Sequence, residues 1–122
     1  IMADEVSVSG TIKLVKGNAI LSRSVSTHQK TQTGDGAQYG IQNIGTSAEA
    51  INLGDVTTEG YAYMRNLDLT NFVQIGVDSS GFIAFAKLDP GDFLIAPLDG
   101  TLTHQAKADT AAIELEYIII ED

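Results

Sequence analysis

Between Val6 and Leu14 apolar and polar residues alternate: Val6, Val8, Ile12 and Leu14 fall on one side, Ser7, Ser9, Thr11 and Lys13 on the other. A period of two marks a strand with one wet side, so this segment is expected to be a half-buried strand. Lys16-Gly17-Asn18 supplies a turn, and Ala19-Ile20-Leu21 opens a second strand. From Ser22 to Gln38 only Val25 and Ala37 are apolar. A run this polar is a polar hairpin, a long surface loop or an extended arm. Long polar segments in compact domains often carry function, which makes Val25, His28 and Lys30 candidate partner contacts. Residues 1–5, ahead of the pattern, are expected to be a flexible N-terminal segment.

The alternation resumes at Tyr39 to Ile44 and Ala48 to Leu53, then at Tyr61 to Arg65, Phe72 to Val77, Phe82 to Leu88, Phe93 to Ala96 and Thr101 to Ala106. Breaks at Gly45-Thr46-Ser47, Gly54-Asp55, Asn66-Leu67-Asp68, Asp78-Ser79-Ser80-Gly81, Asp89-Pro90-Gly91-Asp92 and Leu98-Asp99-Gly100 separate these runs. Turn signals about every ten residues are the cadence of an antiparallel sandwich or barrel. No segment carries a helical stripe longer than two turns. In Asp89-Pro90-Gly91-Asp92, Pro90 presets φ at the second turn position and Gly91 provides the positive φ of a type II turn. The aromatics Tyr61, Tyr63, Phe72, Phe82, Phe85 and Phe93 fall on strand positions, where core aromatics are expected.

The last segment, Ala111 to Glu121, sets Ile113, Leu115, Tyr117 and Ile119 against Glu114, Glu116, Ile118 and Ile120. Its outer side starts wet and ends dry, so either the chain itself or another subunit covers Ile118 and Ile120.

Composition narrows the function. The 122 residues are 43% hydrophobic, too apolar for disorder and without the long unbroken apolar run of a membrane helix. Sixteen acids against seven bases give a net charge of -9, a poor match to a nucleic-acid backbone. Residues 61–122 hold ten of the acids and three of the bases. With no Cys, thiolate catalysis and disulfides are excluded. The start shows no basic-then-apolar leader, and Met2 is the expected first translated residue.

Candidate chemistry is sparse. His28 and His104, 76 positions apart in sequence, form no motif; His28 reads as solvated and His104 as a partly buried or edge strand residue. The oxygen-rich loops at 78–81 and 89–92 do not follow EF-hand spacing and read as turns. Arg65 is expected to pair a nearby carboxylate such as Asp68, with Asn66 and Asn71 as turn residues or hydrogen-bonding struts. No catalytic residue, metal site or cofactor is expected, and the chain reads as a non-enzyme.

Gly60-Tyr61-Ala62-Tyr63-Met64-Arg65-Asn66-Leu67-Asp68, Asn71-Phe72-Val73-Gln74-Ile75-Gly76, Leu88-Asp89-Pro90-Gly91-Asp92 and Ala106-Lys107-Ala108-Asp109-Thr110, followed by Leu115-Glu116-Tyr117-Ile118, together resemble small β-rich virion proteins of tailed bacteriophages. The resemblance covers residues 45–122. It implies a single all-β domain over 1–122, an antiparallel β-sandwich of jelly-roll-like form with eight to ten short strands. It further implies a capsid decoration or cement protein, made in the host cytoplasm and residing on the virion surface. Its partners would be the major capsid protein or other virion proteins and copies of itself, a trimer being favoured, with no nucleic acid and no membrane. The expected capsomer contact is the N-terminal segment or the 22–38 stretch, and the expected self-contact is the strand ending at Ile118 and Ile120. The alternatives are a tail or head-to-tail connector component and a carbohydrate- or receptor-binding tip module.

Overall fold

A computed structural model describes residues 5–122, and among them there is no helix. The expected flexible segment 1–5 therefore lies outside the described residues except for Glu5, which is exposed. Ten strands are formed: β1 (Val6–Lys16), β2 (Ala19–Lys30), β3 (Ala37–Ile44), β4 (Glu49–Ala50), β5 (Glu59–Asn66), β6 (Val73–Asp78), β7 (Phe82–Leu88), β8 (Phe93–Pro97), β9 (His104–Ala108) and β10 (Ile113–Glu121). The chain divides into two compact units, the second beginning at Gly34. The sandwich expected over residues 1–122 is built from residues 34–122.

The first unit is a hairpin in which β1 pairs antiparallel with β2 across the two-residue turn Gly17-Asn18. Of the three forms open to the polar 22–38 stretch, its first part takes the hairpin, ending at Lys30. The expected half-burial is corrected: from Gly10 to Lys30 every residue is exposed, with Ile12 at 76% and Ile20 at 68%. Alternation reports that a strand has two unlike sides, and here the apolar side has no second layer within the unit. Between Val8 and Gly10 the register shifts, with one extra residue in β2 forming a bulge.

The second unit is two four-stranded antiparallel sheets, in the orders β3-β10-β5-β8 and β4-β9-β6-β7. Each pairing is nested inside the last: first strand with eighth (β3·β10), second with seventh (β4·β9), third with sixth (β5·β8), fourth with fifth (β6·β7). Every connection crosses between the sheets except the β6-β7 hairpin. The inner faces meet in one core, with Ile44, Ala62, Met64, Ile113, Leu115, Tyr117 and Ile119 from the first sheet against Val73, Ile75, Leu88, Ala106 and Ala108 from the second. β10 sits at the centre of its sheet, so its alternation of Ile113, Leu115, Tyr117 and Ile119 delivers four fully buried side chains to that core.

Two expected strands are shorter than their apolar runs. Ala48 to Leu53 contributes only the two-residue β4, its Ile51 instead entering the core from the following loop, and Thr101 to Ala106 begins pairing at His104. β7 carries a bulge opposite Ile75-Gly76, where Phe85 is the extra residue. Gly76 permits it: a Cβ there would collide with the Ile83 carbonyl oxygen and lie 2.8 Å from the Ala84 Cα.

Candidate functional site

The outer face of the β3-β10-β5-β8 sheet is built from residues that alternation turns away from the core. Register aligns them in rows: Ile41, Glu116, Arg65 and Phe93; then Tyr39, Ile118, Tyr63 and Ile95. Ile120 lies opposite Ala37 below them, with Tyr61 and Pro97 paired in the same layer. Tyr39 and Phe93 are each 60% exposed, and Ile41 and Ile95 are exposed as well. Contiguous apolar and aromatic side chains on a wet sheet face are the signature of an interaction surface. The opposite face of the sandwich differs, presenting Gln74, Gln105, Lys87 and Lys107, with Ile83 and Phe85 exposed on its edge strand β7.

The expectation that the strand aromatics are core residues is corrected here. Of all the aromatics only Tyr117 is buried, while Phe85 and Phe93 are exposed and Tyr61, Tyr63, Phe72 and Phe82 are intermediate. Two faces of a strand look alike in sequence when both are apolar. In β5 the smaller set, Ala62 and Met64, went inward, leaving Tyr61 and Tyr63 outside.

One charged group organises the face. Glu116 accepts hydrogen bonds from the Tyr63 hydroxyl at 2.9 Å and the Tyr39 hydroxyl at 3.2 Å, so the two rings flanking Ile118 are tied to one carboxylate. The Tyr39 pKa is raised, first by this hydrogen bond and then by the carboxylate's charge; that of Tyr63 is raised first by burial. Both hydroxyls thus stay protonated donors in neutral solution. Ile118 and Ile120 are half-buried among these neighbours, which answers part of the question of their cover with the chain's own Tyr39 and Tyr63.

Below the face, the turn residues form a scaffold. Asn66 is fully buried, and its amide donates to the Asn71 carbonyl at 2.9 Å and the Leu88 carbonyl at 3.0 Å while its oxygen accepts from the Asp68 amide. Arg65 does not take Asp68 as its partner: its Nε donates to the Gly91 carbonyl at 3.3 Å. The Asp68 carboxylate instead accepts the Asn71 and Thr70 amides, which lowers its pKa. Local backbone donors two and three residues away cost less chain entropy to reach than a long Arg side chain. Asn71 accepts from the Thr110 hydroxyl. Pro90-Gly91 is closed by the Asp92 amide donating to the Asp89 carbonyl at 2.9 Å, with Gly91 at φ 85°. The loop at 78–81 is likewise closed on itself by Asp78, which accepts the Gly81 amide. Both oxygen-rich loops therefore spend carboxylate oxygens on their own backbone, and no group of three or more His, Asp or Glu side chains is placed to hold a metal among the described residues.

The hairpin unit carries the second candidate surface. Register puts Ile12 beside Arg23, Leu14 beside Leu21 and Gly10 beside Val25 on one side. The other side is a ladder of hydroxyls in which Thr11 and Ser24 hydrogen bond at 2.9 Å, ending in Val15 opposite Ile20 at the tip. His28 and Lys30 lie on β2 opposite Val8 and Val6. His104, by contrast, is a buried residue of β9, paired in register with Val77, and its Nδ1 has no hydrogen-bond partner among the described residues. Sequence reasoning singled out Ile118, Ile120 and Val25 but missed Tyr39, Ile41, Phe93 and Ile95. The signal that would have found them is pairing register, since Tyr39 and Ile41 lie opposite Ile118 and Glu116, and Phe93 and Ile95 lie opposite Arg65 and Tyr63, the next residues of the same rows.

Compared with protein-family models, curated proteins and solved structures, the chain matches none.

Proposed function

We propose that the chain is a structural protein of a tailed-bacteriophage virion, a capsid decoration or cement protein that binds capsomers and stabilises the head. The observation that carries this reading is the nested pairing of the eight strands of the second unit. Pairing first with eighth through fourth with fifth supports a jelly-roll reading of the sandwich, an architecture common among viral capsid domains. The resemblance of residues 45–122 to small phage virion proteins points the same way. Two apolar surfaces, on the hairpin and on the outer sheet face, supply means of attachment without chemistry. Such a protein acts by area and symmetry: burying surface across capsomer joints stabilises the assembled shell by mass action. Particles lacking it are expected to lose resistance to heat and low salt, and full retention of that resistance would overturn the cement role. Quantifying copies per particle separates this reading from a tail or connector component, with hundreds expected for decoration and a few for the rival.

A second reading, a glycan- or receptor-binding tip module, is favoured by one feature, the exposed Tyr39 and half-exposed Tyr63 sharing Glu116. Aromatic faces beside a carboxylate can stack on and hydrogen bond to sugars. Flat isotherms against a glycan panel would remove it.

A further inference from the structure

We propose that the hairpin of one copy docks, apolar side down, on the outer face of the β3-β10-β5-β8 sheet of a second copy, so that the protein assembles by exchanging hairpins. This needs no virion role and concerns the free protein. The first observation is charge. From residue 6 to residue 30 the chain holds four basic residues, Lys13, Lys16, Arg23 and Lys30, and no acid, whereas residues 34–122 hold fourteen acids against three bases. A +4 ribbon and a -11 sandwich in one chain attract between copies, while sandwich repels sandwich.

The second observation is fit. One side of the ribbon presents Ile12, Leu14, Leu21 and Val25, all exposed, with Arg23 in their midst. The sheet face presents Tyr39, Ile41, Phe93 and Ile95, exposed, with Glu116 and Arg65 side by side in their midst. Each surface is an apolar field crossed by charge, Arg23 on the ribbon and the adjacent Glu116 and Arg65 on the sheet, so the attraction comes from the net charge of the two units, and stacked sheets pack by interdigitating such faces about 10 Å apart. The third is area. A ribbon of this length is about 35 Å long at roughly 3.3 Å per residue. One docking event then removes on the order of 1,000 Å² from water, and a copy that both gives and receives a hairpin doubles that, reaching the range of stable assemblies. Since donor and acceptor surfaces differ, the contact is heterologous, and it closes as a reciprocal pair or a small ring such as a trimer. The hydroxyl ladder and the Val15/Ile20 tip remain outside the contact, available to a capsomer.

The test is sedimentation velocity of the full chain at about 100 µM, a concentration that populates contacts of micromolar strength. Wild type is expected to be a closed oligomer whose dissociation constant rises about tenfold or more between low and high salt, as an electrostatically assisted contact does. Arg23→Glu is expected to weaken it about as much. Ile12→Ser with Leu21→Ser spoils the donor, Phe93→Ser with Ile95→Asp spoils the acceptor, and each double variant is expected to be monomeric with an unchanged β-sheet circular dichroism spectrum. Mixed in equal amounts, the two are expected to form a one-to-one heterodimer and nothing larger, because one good donor meets one good acceptor. A monomeric wild type, which includes a hairpin that folds onto its own sandwich, overturns the proposal. So does a double variant that keeps the oligomer, or a mixture that does not recombine. None of these results touches the virion reading, which is decided on particles.

Discussion

Asn66 replaces a chain segment's worth of backbone pairing with one amide. It serves two carbonyls and one N–H where β5 leaves its sheet, and it is fully buried. Asn66→Ala strands three backbone groups and is expected to cost about 3 kcal/mol, read as a lowered urea midpoint at constant slope. Asp is no substitute, since a carboxylate has no donor for the carbonyls of Asn71 and Leu88. Gly76→Ala forces a Cβ into the bulged backbone of β7 and is expected to destabilise by about 2 to 4 kcal/mol, measurable in the same way. Glu121 makes a pH-dependent contribution. It accepts the Thr57 hydroxyl at 2.6 Å, the Thr57 amide and the Gly36 amide, and these hold its pKa down at about 2. A depressed carboxylate stabilises the fold fully above its unfolded pKa, and that contribution is lost as the pH falls from the ordinary glutamate value of 4.5 through about 2. The Glu121→Gln variant is therefore expected to show a flatter fall of thermal midpoint across that window than wild type, though a lower midpoint at neutral pH.

The hairpin formed by β1 and β2 is the element least able to stand alone. A two-stranded ribbon is marginal in water, and this one carries large apolar side chains on its wet surface. Its amides are expected to exchange with solvent far faster than those of β10 in dilute protein, and protection appearing with concentration would follow from association. How far the elements were legible from sequence follows from what alternation encodes. β7 was located end to end, and β10 was placed to within two residues with its buried set intact, because four large residues at period two admit one burial pattern. β1 is legible as a strand but its exposure is not, since the pattern names a dry side without naming what dries it. In β5 both sides are apolar, so the pattern points Tyr61 and Tyr63 inward although Ala62 and Met64 hold that place. The candidate surface escaped for a related reason. Tyr39, Ile118, Tyr63 and Ile95 come from four separate segments and become one row only once the pairing register is known.

At the scale of the whole molecule, nested pairing sets the two ends of the sandwich sequence side by side. β3 and β10 bring residues 37–44 against 113–120, so the longest loop must close before the central strand of that sheet is in place. Folding is expected in the millisecond-to-second range characteristic of such non-local β topologies, observable by stopped-flow tyrosine fluorescence, there being no Trp. Removing residues 113–122 takes away the strand that both β3 and β5 need, and such a chain is expected to be unfolded by circular dichroism. Three of the four sandwich edges are short, bulged or proline-ended. Together they act as safeguards against fibre growth. β4 offers two residues for another chain to pair with, β7 is bent by its bulge, and β8 stops at Pro97, which cannot donate. Strand addition is thereby confined to the eight-residue β3 and the two open edges of the hairpin, so those backbones, and not the far sides of the sandwich, are where crowding would first recruit another chain.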